Sequence, residues 1–295
     1  MNAHSSSQAG AREAPTLLVG LVGSGIRHSL SPALHEEEAQ ALGLRFAYRI
    51  VDLDDEPGGA DALSAIIARL EQAGYAGTNV THPVKQAIMP LLDALSEEAD
   101  AIGAVNTLRF TPGGRREGHN TDWWGFGENL RRMLGGAAPG SVVLLGAGGA
   151  GAAAAYALGR LHADAIVIAD ADLGRAEALA VRMSALGFPA TACGMDGVGA
   201  AIARANGLVH ATPTGMTKYP GMPIAAAWLR ADLWVAEIVY VPLETELLRA
   251  ARAAGCRTAD GGGMVVLQAA RAFEIFTGRP ADVDRMLSHF ARLVA

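Results

Sequence analysis

The glycine pattern Gly146-x-Gly148-x-x-Gly151 constrains the fold of this chain more than any other feature. An apolar run of strand length precedes it and an alanine-rich run of helix length follows it. Asp170 stands 19 positions after Gly151. In dinucleotide-binding α/β folds such glycines allow a tight turn, let the backbone approach the pyrophosphate, and let helix and strand pack closely. The pattern therefore predicts a dinucleotide site, with a ligand-free glycine turn as the alternative.

A membrane-spanning helix over 141–161 is a weaker interpretation of the same apolar segment. Four glycines fall between positions 146 and 151, and they divide the segment into a strand, a turn and a helix. We therefore expect no association with a membrane.

Strand and helix patterns alternate along most of the chain. Short apolar runs at 17–23, 46–51, 77–81 and 104–110 predict strands in the first 120 residues, with helices between them, including 84–92 and 96–101. Further strands are predicted at 142–145, 165–169, 207–211 and 234–239, again separated by helical segments. The alternation predicts an α/β fold whose second part is a doubly wound parallel sheet of the Rossmann type. Residues 264–295 are predicted to be helical throughout.

Composition and charge limit the class of protein. Of the 295 residues 51% are hydrophobic, enough for a large core and too many for a disordered chain. The net charge is −6 and no dense basic block occurs, which argues against nucleic acid as a partner. Cys193 and Cys256 lie 63 positions apart without a CxxC, so we expect a reducing cytoplasmic compartment. Residues 1–15 are polar, lack the apolar core of a signal peptide, and are predicted to form a loose tail.

Asp170 is expected at the end of the second strand of the dinucleotide domain. A carboxylate there can accept hydrogen bonds from the ribose hydroxyls of the adenosine. A 2′-phosphate about 5 Å away would be repelled by roughly 3 kcal/mol at an effective dielectric constant of about 20. The sequence therefore favours NAD over NADP. In the alternative interpretation, Asp170 and Asp172 only cap the next helix.

A second group of polar residues follows predicted strands in the first part of the chain. It includes Thr81, Lys85, Asn106 and Asp122. Polar residues at the carboxyl ends of strands are typical of ligand clefts in α/β sheets. Lys85 can donate or accept a proton, Asp122 can pair with it, and the other two can hydrogen-bond hydroxyl groups. Alternatively, the Asn-Thr and Thr-Asp sequences are only turn formers.

Seven motifs make the sequence similar to a known family. In chain order they are SLSPALH (29–35), GTNVTHPVKQ (77–86), GAVNT (103–107), GHNTD (118–122), GAGGAG (146–151), VYVPLETELL (239–248) and DGGGMVVLQAA (260–270). In these motifs the chain resembles the shikimate dehydrogenase family, and within it the quinate/shikimate dehydrogenase branch. The resemblance extends from about Leu17 to the C-terminus.

The resemblance implies a role for individual residues. Ser29 and Ser31, helped by Tyr240, would hold the substrate carboxylate. Lys85 would transfer the proton, paired with Asp122. Hydrogen bonds to the ring hydroxyls would come from Thr81, Asn106, Asp122 and Gln268. The dinucleotide would contact Gly146, Ala147, Gly148, Gly149, Ala150, Asp170 and Thr212, and its nicotinamide would lie near Gly261 and Met264. No metal site is expected.

The resemblance also implies domain limits. Residues 16–121 together with 260–295 would form the substrate-binding domain, and 122–259 the NAD-binding Rossmann domain. The C-terminal helices would return to the first domain and carry Gln268 into the cleft. A monomer or a homodimer is expected, with a small-molecule substrate as the partner.

Two departures from the common biosynthetic members bear on cofactor and substrate. Those members typically carry Asn-Arg-Thr where this chain has Asp170-Ala171-Asp172, and the arginine grips the phosphate of NADP. His82, Gln86 and His119 resemble the quinate/shikimate branch, whereas quinate-using members often have Thr in place of Ser31. We therefore expect NAD-dependent oxidation of the C3 hydroxyl of shikimate, with quinate as a second candidate substrate. The alternatives are an NADP-dependent biosynthetic enzyme, a dehydrogenase of a related cyclitol or aminoshikimate acid, and an NAD-binding regulatory protein without catalysis.

Overall fold

Two six-stranded sheets organise the part of the chain that this computed structural model describes, residues 16–294. The predicted tail over 1–15 lies outside the described residues. Helices cover the sheets, as expected for the predicted α/β class, which is confirmed.

The first sheet is mixed and lies between residues 17 and 119, with strand order β2-β1-β3-β5-β6-β4. Parallel pairing joins β1 to β2 and β3, while β3, β5 and β6 pair antiparallel. Its elements are β1 (Leu17–Gly23), α1 (Ser31–Ala41), β2 (Phe46–Asp52), α2 (Leu63–Gln72), β3 (Gly77–Val80), β4 (Ala94–Leu95), α3 (Glu97–Ile102), β5 (Thr107–Phe110) and β6 (Arg116–His119).

One predicted helix in this domain is wrong. Residues 84–92 form turns and a single 3-10 helix over Met89–Leu91. Pro90 lacks the backbone N–H that an α-helix needs inside that segment. The short strands β4 and β6 were not predicted, because β6 has the polar sequence REGH and β4 only two residues. A half-buried hairpin strand of this kind carries no apolar run.

The second sheet is parallel throughout and lies between residues 141 and 259, with strand order β12-β11-β10-β7-β8-β9. Both faces are covered, so strands such as β10 and β11 are buried along their whole length. Its elements are α4 (Asp122–Leu134), which leads into it, then β7 (Ser141–Leu145), α5 (Gly149–Arg160), β8 (Ala165–Ala169), α6 (Leu173–Ala185), β9 (Ala190–Cys193), α7 (Val198–Ile202), β10 (Gly207–His210), β11 (Trp234–Glu237), α8 (Glu246–Ala253) and β12 (Arg257–Ala259).

The strand order reverses between β7 and β10, which is where ligands bind in doubly wound sheets. The segment 141–161 divides into β7 and α5. No helix within residues 16–294 is both long and apolar enough to cross a bilayer.

Two C-terminal helices return to the first domain, as predicted. They are α9 (Gly261–Thr277) and α10 (Val283–Leu293). The expectation that residues 264–295 are helical throughout is wrong at 278–282, since Gly278 ends α9 with φ +66° and Pro280 follows two residues later.

The returning helices are held against α1 and α4. Arg285 of α10 makes a two-armed ion pair with the buried Glu38 of α1, at 2.9 and 2.7 Å. Gly125 lets α9 approach α4 closely, since a Cβ there would lie 2.7 Å from the backbone nitrogen of Gln268. This packing brings Gln268 to the start of α4.

Candidate active site

The candidate site lies in the cleft where the segment that follows β3 meets the segment that follows β7. The segment carrying Lys85 follows β3, and the glycine-rich turn follows β7. The two are adjacent, since the Lys85 Cδ atom lies 3.7 Å from the position that a Cβ on Gly149 would take. The lysine therefore lies between the first sheet and the predicted dinucleotide helix.

Lys85 and Asp122 form a half-buried ion pair. Lys85 Nζ lies 2.6 Å from Asp122 Oδ2, and their side chains are 21% and 8% exposed. Asp122 is the first residue of α4, and its backbone N–H donates to Asn120 Oδ1 at 3.0 Å. The pair can share a proton and remains partly open to the cleft.

Asn106 holds the other oxygen of Asp122. Its Nδ2 donates to Asp122 Oδ1 and to Thr121 Oγ1, both at 2.9 Å. Its Oδ1 accepts from the Thr121 N–H at 2.8 Å and from Thr107 Oγ1 at 3.0 Å. All four hydrogen-bonding positions of this amide are used within the protein. In this geometry Asn106 orients the carboxylate, and its predicted bond to a ring hydroxyl stays a prediction.

Gln268 reaches the same group of residues from α9. Its Oε1 lies 3.3 Å from Thr121 Oγ1, although 147 positions separate the two residues. Its Nε2 donates to the Val265 carbonyl at 3.1 Å. The C-terminal helix thus closes one wall of the cleft.

Ser29 and Ser31 lie together at the N-terminus of α1. Ser29 Oγ donates to Ser31 Oγ at 3.1 Å, and the Ser31 N–H donates back to Ser29 Oγ at 3.2 Å. Two hydroxyls beside a helix N-terminus suit an anion, because the partial positive charge of the helix end adds to their donors. The arrangement fits a carboxylate.

Tyr48, on β2, is connected to the amides of the site. Its hydroxyl donates to Asn79 Oδ1 at 2.8 Å. Asn79 in turn donates to the Asn106 carbonyl at 3.1 Å and to Thr107 Oγ1 at 2.9 Å. A chain of hydrogen bonds therefore links Tyr48, through Asn79 and Asn106, to Asp122. Sequence reasoning gave Tyr48 no role, because a strand tyrosine carries no local signal of its partners.

Asp52, at the end of β2, holds the loop that leads to Ser29. Its carboxylate accepts from the N–H groups of Gly25 and Ile26 at 2.9 Å and of Asp54 at 3.1 Å. Burial raises the pKa of this carboxyl, but the three backbone donors and the charge of Arg27 outweigh burial and hold the pKa below its ordinary value. Sequence reasoning missed Asp52. Its position directly after the predicted strand over 46–51 was the one sequence signal that could have indicated this role.

Two predicted substrate residues have no polar partner here. No hydrogen bond of the Thr81 hydroxyl occurs within residues 16–294, so that group is free for a ligand. Tyr240 follows β11 and is 37% exposed, with no hydrogen bond to Ser29 or Ser31 in the described part of the chain. The predicted help of Tyr240 at the carboxylate stays a prediction.

The glycine-rich turn has the geometry of a phosphate cradle. Gly146 has φ +103°, and a Cβ at Gly151 would lie 2.0 Å from the Gly146 carbonyl oxygen, so both positions require glycine. Around Gly148, which caps α5, nothing lies within 4 Å of a Cβ position. Gly149 and Ala150 lie in the first turn of α5, whose N–H groups lack helical partners. An open backbone at a helix N-terminus fits a pyrophosphate.

Asp170 lies directly after β8, as predicted. Its Oδ2 accepts from the Ala147 N–H at 2.8 Å, and its Oδ1 accepts from the Asp172 N–H at 2.9 Å. The capping role falls to Asp172 alone, which accepts from the Gly174 N–H at the start of α6. Each oxygen of Asp170 keeps a second lone pair that a ribose hydroxyl could use.

The remaining predicted cofactor residues border the same turn. The Thr212 Cγ2 atom lies 3.1 Å from a Cβ position on Gly146. Gly261 starts α9 against the backbone of Val239, and Met264 is buried one turn later. Within residues 16–294 no group of three or more His, Cys, Asp and Glu side chains is arranged to hold a metal ion.

Comparisons with known proteins agree with this architecture. Residues 21–108 match the model of the shikimate dehydrogenase substrate binding domain, and residues 261–288 match that of the shikimate 5'-dehydrogenase C-terminal domain. The chain is 51% identical to a shikimate dehydrogenase (NADP(+)) of Streptomyces avermitilis, over 94% of this chain and 95% of that protein.

Relatives whose names specify NAD are also similar to this chain. A quinate/shikimate dehydrogenase (NAD(+)) of Corynebacterium glutamicum is 45% identical, over 94% of this chain and 99% of that protein. The solved structure of a quinate dehydrogenase from Corynebacterium glutamicum in complex with NAD superimposes with a TM-score of 0.89 at 43% identity. That match covers 94% of this chain and 99% of the other.

Proposed function

The chain belongs to the shikimate dehydrogenase family, and from this premise we propose that it oxidises the C3 hydroxyl of shikimate with NAD as the acceptor. The observation that carries the proposal is the Lys85–Asp122 pair, with 2.6 Å between Nζ and Oδ2, beside the glycine-rich turn. An oxidoreductase of this family with a nicotinamide cofactor is the coarser conclusion that the relatives support.

The substrate is anchored at its carboxylate. Ser29 and Ser31 supply hydroxyl donors at the N-terminus of α1, and Asp52 fixes the loop before them. On the ring side, the Thr81 hydroxyl has no competing partner among the described residues, and Gln268 approaches from α9. Anchoring both ends orients the reacting hydroxyl toward Lys85, which lowers the entropic part of the barrier.

Lys85 moves the proton. In its neutral form Lys85 accepts the proton of the C3 hydroxyl at Nζ during oxidation and becomes the ammonium, which returns the proton in the reverse direction. Asp122 holds the amine through the 2.6 Å contact and is itself fixed by Asn106.

The dinucleotide, when bound, supplies the hydride acceptor for the C3 carbon. The open backbone at Gly148 and the first turn of α5 fit its pyrophosphate. Asp170 would accept the hydroxyls of the adenosine ribose. Residues 16–121 with 260–295 are proposed as the substrate-binding domain and 122–259 as the NAD-binding domain.

Asp170 supports NAD over NADP. Both of its oxygens point at the glycine turn and at the start of α6, where a 2′-phosphate would have to sit. The nearest cation along the chain, Arg175, is turned toward Asp172 at 3.6 Å. A phosphate about 5 Å from the Asp170 carboxylate would be repelled by on the order of 3 kcal/mol at an effective dielectric constant of about 20.

Quinate is the second candidate substrate, and a specific observation favours testing it. The NAD-named relatives and the superimposed NAD complex act on quinate by their names, and this chain matches both over 94% of its length. A regulatory protein without catalysis is disfavoured because the complete proton-transfer pair is present and connected.

The test is a set of four initial-rate measurements, combining shikimate or quinate with NAD or NADP and following reduction of the nicotinamide by absorbance. The proposal predicts the highest kcat/KM for shikimate with NAD and a slower or comparable reaction for quinate with NAD. Activity with shikimate and NADP alone would overturn the cofactor assignment. Dinucleotide binding without any substrate-dependent reduction would overturn catalysis.

A further inference from the structure

A buried histidine–glutamate pair lies at the carboxyl ends of two neighbouring strands of the second sheet, and the mechanism above does not use it. His210 ends β10 and Glu237 ends β11, where the two residues face each other in register. Their exposures are 0% and 2%. His210 Nδ1 lies 2.9 and 3.0 Å from the two Glu237 oxygens.

One side of the pair fixes Thr212. His210 Nε2 lies 2.5 Å from Thr212 Oγ1, so the ring bridges Glu237 and this threonine. Because Nδ1 must donate to the carboxylate, the orientation of the ring is set, and Nε2 can only point at the hydroxyl. Thr212 lies against Gly146 of the glycine-rich turn. The histidine therefore fixes the side-chain rotamer of Thr212, which borders the proposed dinucleotide site.

Glu237, the second member of the pair, fixes the turn that follows β11. Glu237 Oε1 accepts from the Val239 N–H at 3.0 Å and so shapes the turn after β11. A Cβ on Gly261 would lie 2.4 Å from the Ile238 carbonyl oxygen, so the start of α9 rests directly on that turn. Gly261 and the buried Met264 are the residues expected beside the nicotinamide.

We propose that His210 and Glu237 are a positioning pair for the nicotinamide half of the dinucleotide. One buried unit sets both the Thr212 hydroxyl and the turn under Gly261, and the proposal places the nicotinamide beside both. The adenosine half depends instead on Asp170, whose hydrogen bonds to the Ala147 and Asp172 N–H groups do not involve the pair. The inference rests on the proposed use of a nicotinamide cofactor.

A purely structural role makes a different prediction. Glu237 Oε2 also accepts from Thr245 Oγ1 at 3.1 Å, and Thr245 caps α8 through the Leu248 N–H. If the pair served only to anchor α8, its loss would lower stability and affect all ligands alike. Removing one partner of a buried pair is strongly destabilising in any case, so stability alone cannot distinguish the roles.

The test compares two probes that share the adenosine half. NADH contains the nicotinamide and ADP does not, and both are titrated into the intact chain, NADH by fluorescence and ADP by competition against it. For His210→Leu the proposal predicts an NADH Kd raised about tenfold or more and an ADP Kd within about twofold of the unaltered chain. Equal weakening of both probes, or an unchanged NADH Kd, would overturn it.

A double-mutant cycle shows whether His210 acts through Thr212. Thr212→Val alone should weaken the binding of NADH. Adding it to His210→Leu should weaken that binding no further, because the two changes remove one shared interaction. Independent, additive effects would overturn this route. Thr245→Val is the matched control, since it removes the α8 branch and should lower stability while the NADH-to-ADP ratio stays unchanged.

A second variant, His210→Gln, is used if His210→Leu does not fold. Glutamine can reach Glu237 or Thr212 but cannot bridge both, so the same selective loss of NADH affinity is expected. The titrations need no turnover. A chain that binds NADH with this selectivity yet oxidises no shikimate would contradict the proposed function and leave the positioning pair intact.

Discussion

Lys85 Nζ lies 2.6 Å from Asp122 Oδ2, across 37 positions of sequence. The lysine comes from the turns that follow β3, and the aspartate starts the helix that leads into the second domain. The contact thus joins the end of one sheet to the entry of the other. Such a pair, whose lysine is 21% exposed and whose aspartate is held by Asn106, is suited to move a proton rather than only to stabilise the fold.

Replacing Lys85 should lower turnover strongly and spare substrate binding. We expect Lys85→Ala to lower kcat by about a hundredfold to ten-thousandfold, the range for loss of a general acid–base group, with the KM for shikimate nearly unchanged. The chain has one other lysine, the exposed Lys218, which supplies a matched control. Lys218→Ala should retain full kcat. Near-normal turnover in Lys85→Ala would remove the lysine from the mechanism.

The charge of Asp170 should govern cofactor preference. Asp170→Asn keeps an acceptor for one backbone N–H and removes the charge, so the ratio of kcat/KM for NAD to that for NADP should fall by about tenfold to a hundredfold. Asp172→Asn is the control, because asparagine caps a helix as well as aspartate. It should change the ratio less. An unaltered ratio in both variants would show that the 2′-phosphate is read elsewhere.

Loss of the Asp52 carboxylate should loosen the loop before Ser29. Asn offers one acceptor oxygen where Asp52 uses two, so at least one of the N–H groups of Gly25 and Ile26 loses its partner. In Asp52→Asn the KM for shikimate should rise about tenfold while the KM for NAD stays constant. The exposed Asp54 provides the control variant, Asp54→Asn, which should leave both values unchanged. A parallel rise in both KM values would indicate a general loss of structure instead.

His35 should make stability fall below neutral pH. It is fully buried among aromatic rings, and its ring centroid lies 4.8 Å from that of Tyr48. Neither of its ring nitrogens has a hydrogen-bond partner among the described residues. Burial lowers the pKa of His35 to about 3, from 6.5 when unfolded. Between these values only the unfolded chain takes up this proton, so His35 lowers the free energy of unfolding by about 1.4 kcal/mol for each pH unit of acidification.

The measurement is urea unfolding at pH 7 and pH 5 for the unaltered chain and His35→Leu. Leucine fills the same apolar site without an unpartnered polar atom, so it should raise stability at pH 7 by about 1–3 kcal/mol. Its advantage should grow by roughly 2 kcal/mol at pH 5. If the difference in unfolding free energy between His35→Leu and the unaltered chain did not change with pH, His35 would take up its proton as readily in the folded state as in the unfolded state.

Much of the fold could be predicted because buried strands and a glycine turn are local signals. The run LLVGLVG became β1 and AIVIA became β8 with the predicted bounds, and the helix over Asp122–Leu134 also has its predicted limits. Short strands at sheet edges or in hairpins, such as β9, β12 and β6, escaped prediction. Their stability comes from pairing with a neighbouring strand, which no local pattern records.

The candidate site divides in the same way. Lys85, Asp122 and the glycine turn could be proposed from motifs, and the structure brings Lys85 and Asp122 into contact. Tyr48 and the His210–Glu237 pair could not, since their roles depend on partners from other strands. The catalytic roles themselves stay predictions for the experiments above.

Transfer of a label tests the central claim most directly. Shikimate carrying deuterium on C3 is incubated with NAD and the protein, and the reduced nicotinamide and the product are analysed by mass spectrometry. If the protein oxidises the C3 hydroxyl by hydride transfer, deuterium will be recovered on the nicotinamide and will be absent from the product. Deuterium that remains on the product while the nicotinamide is reduced would contradict oxidation at C3.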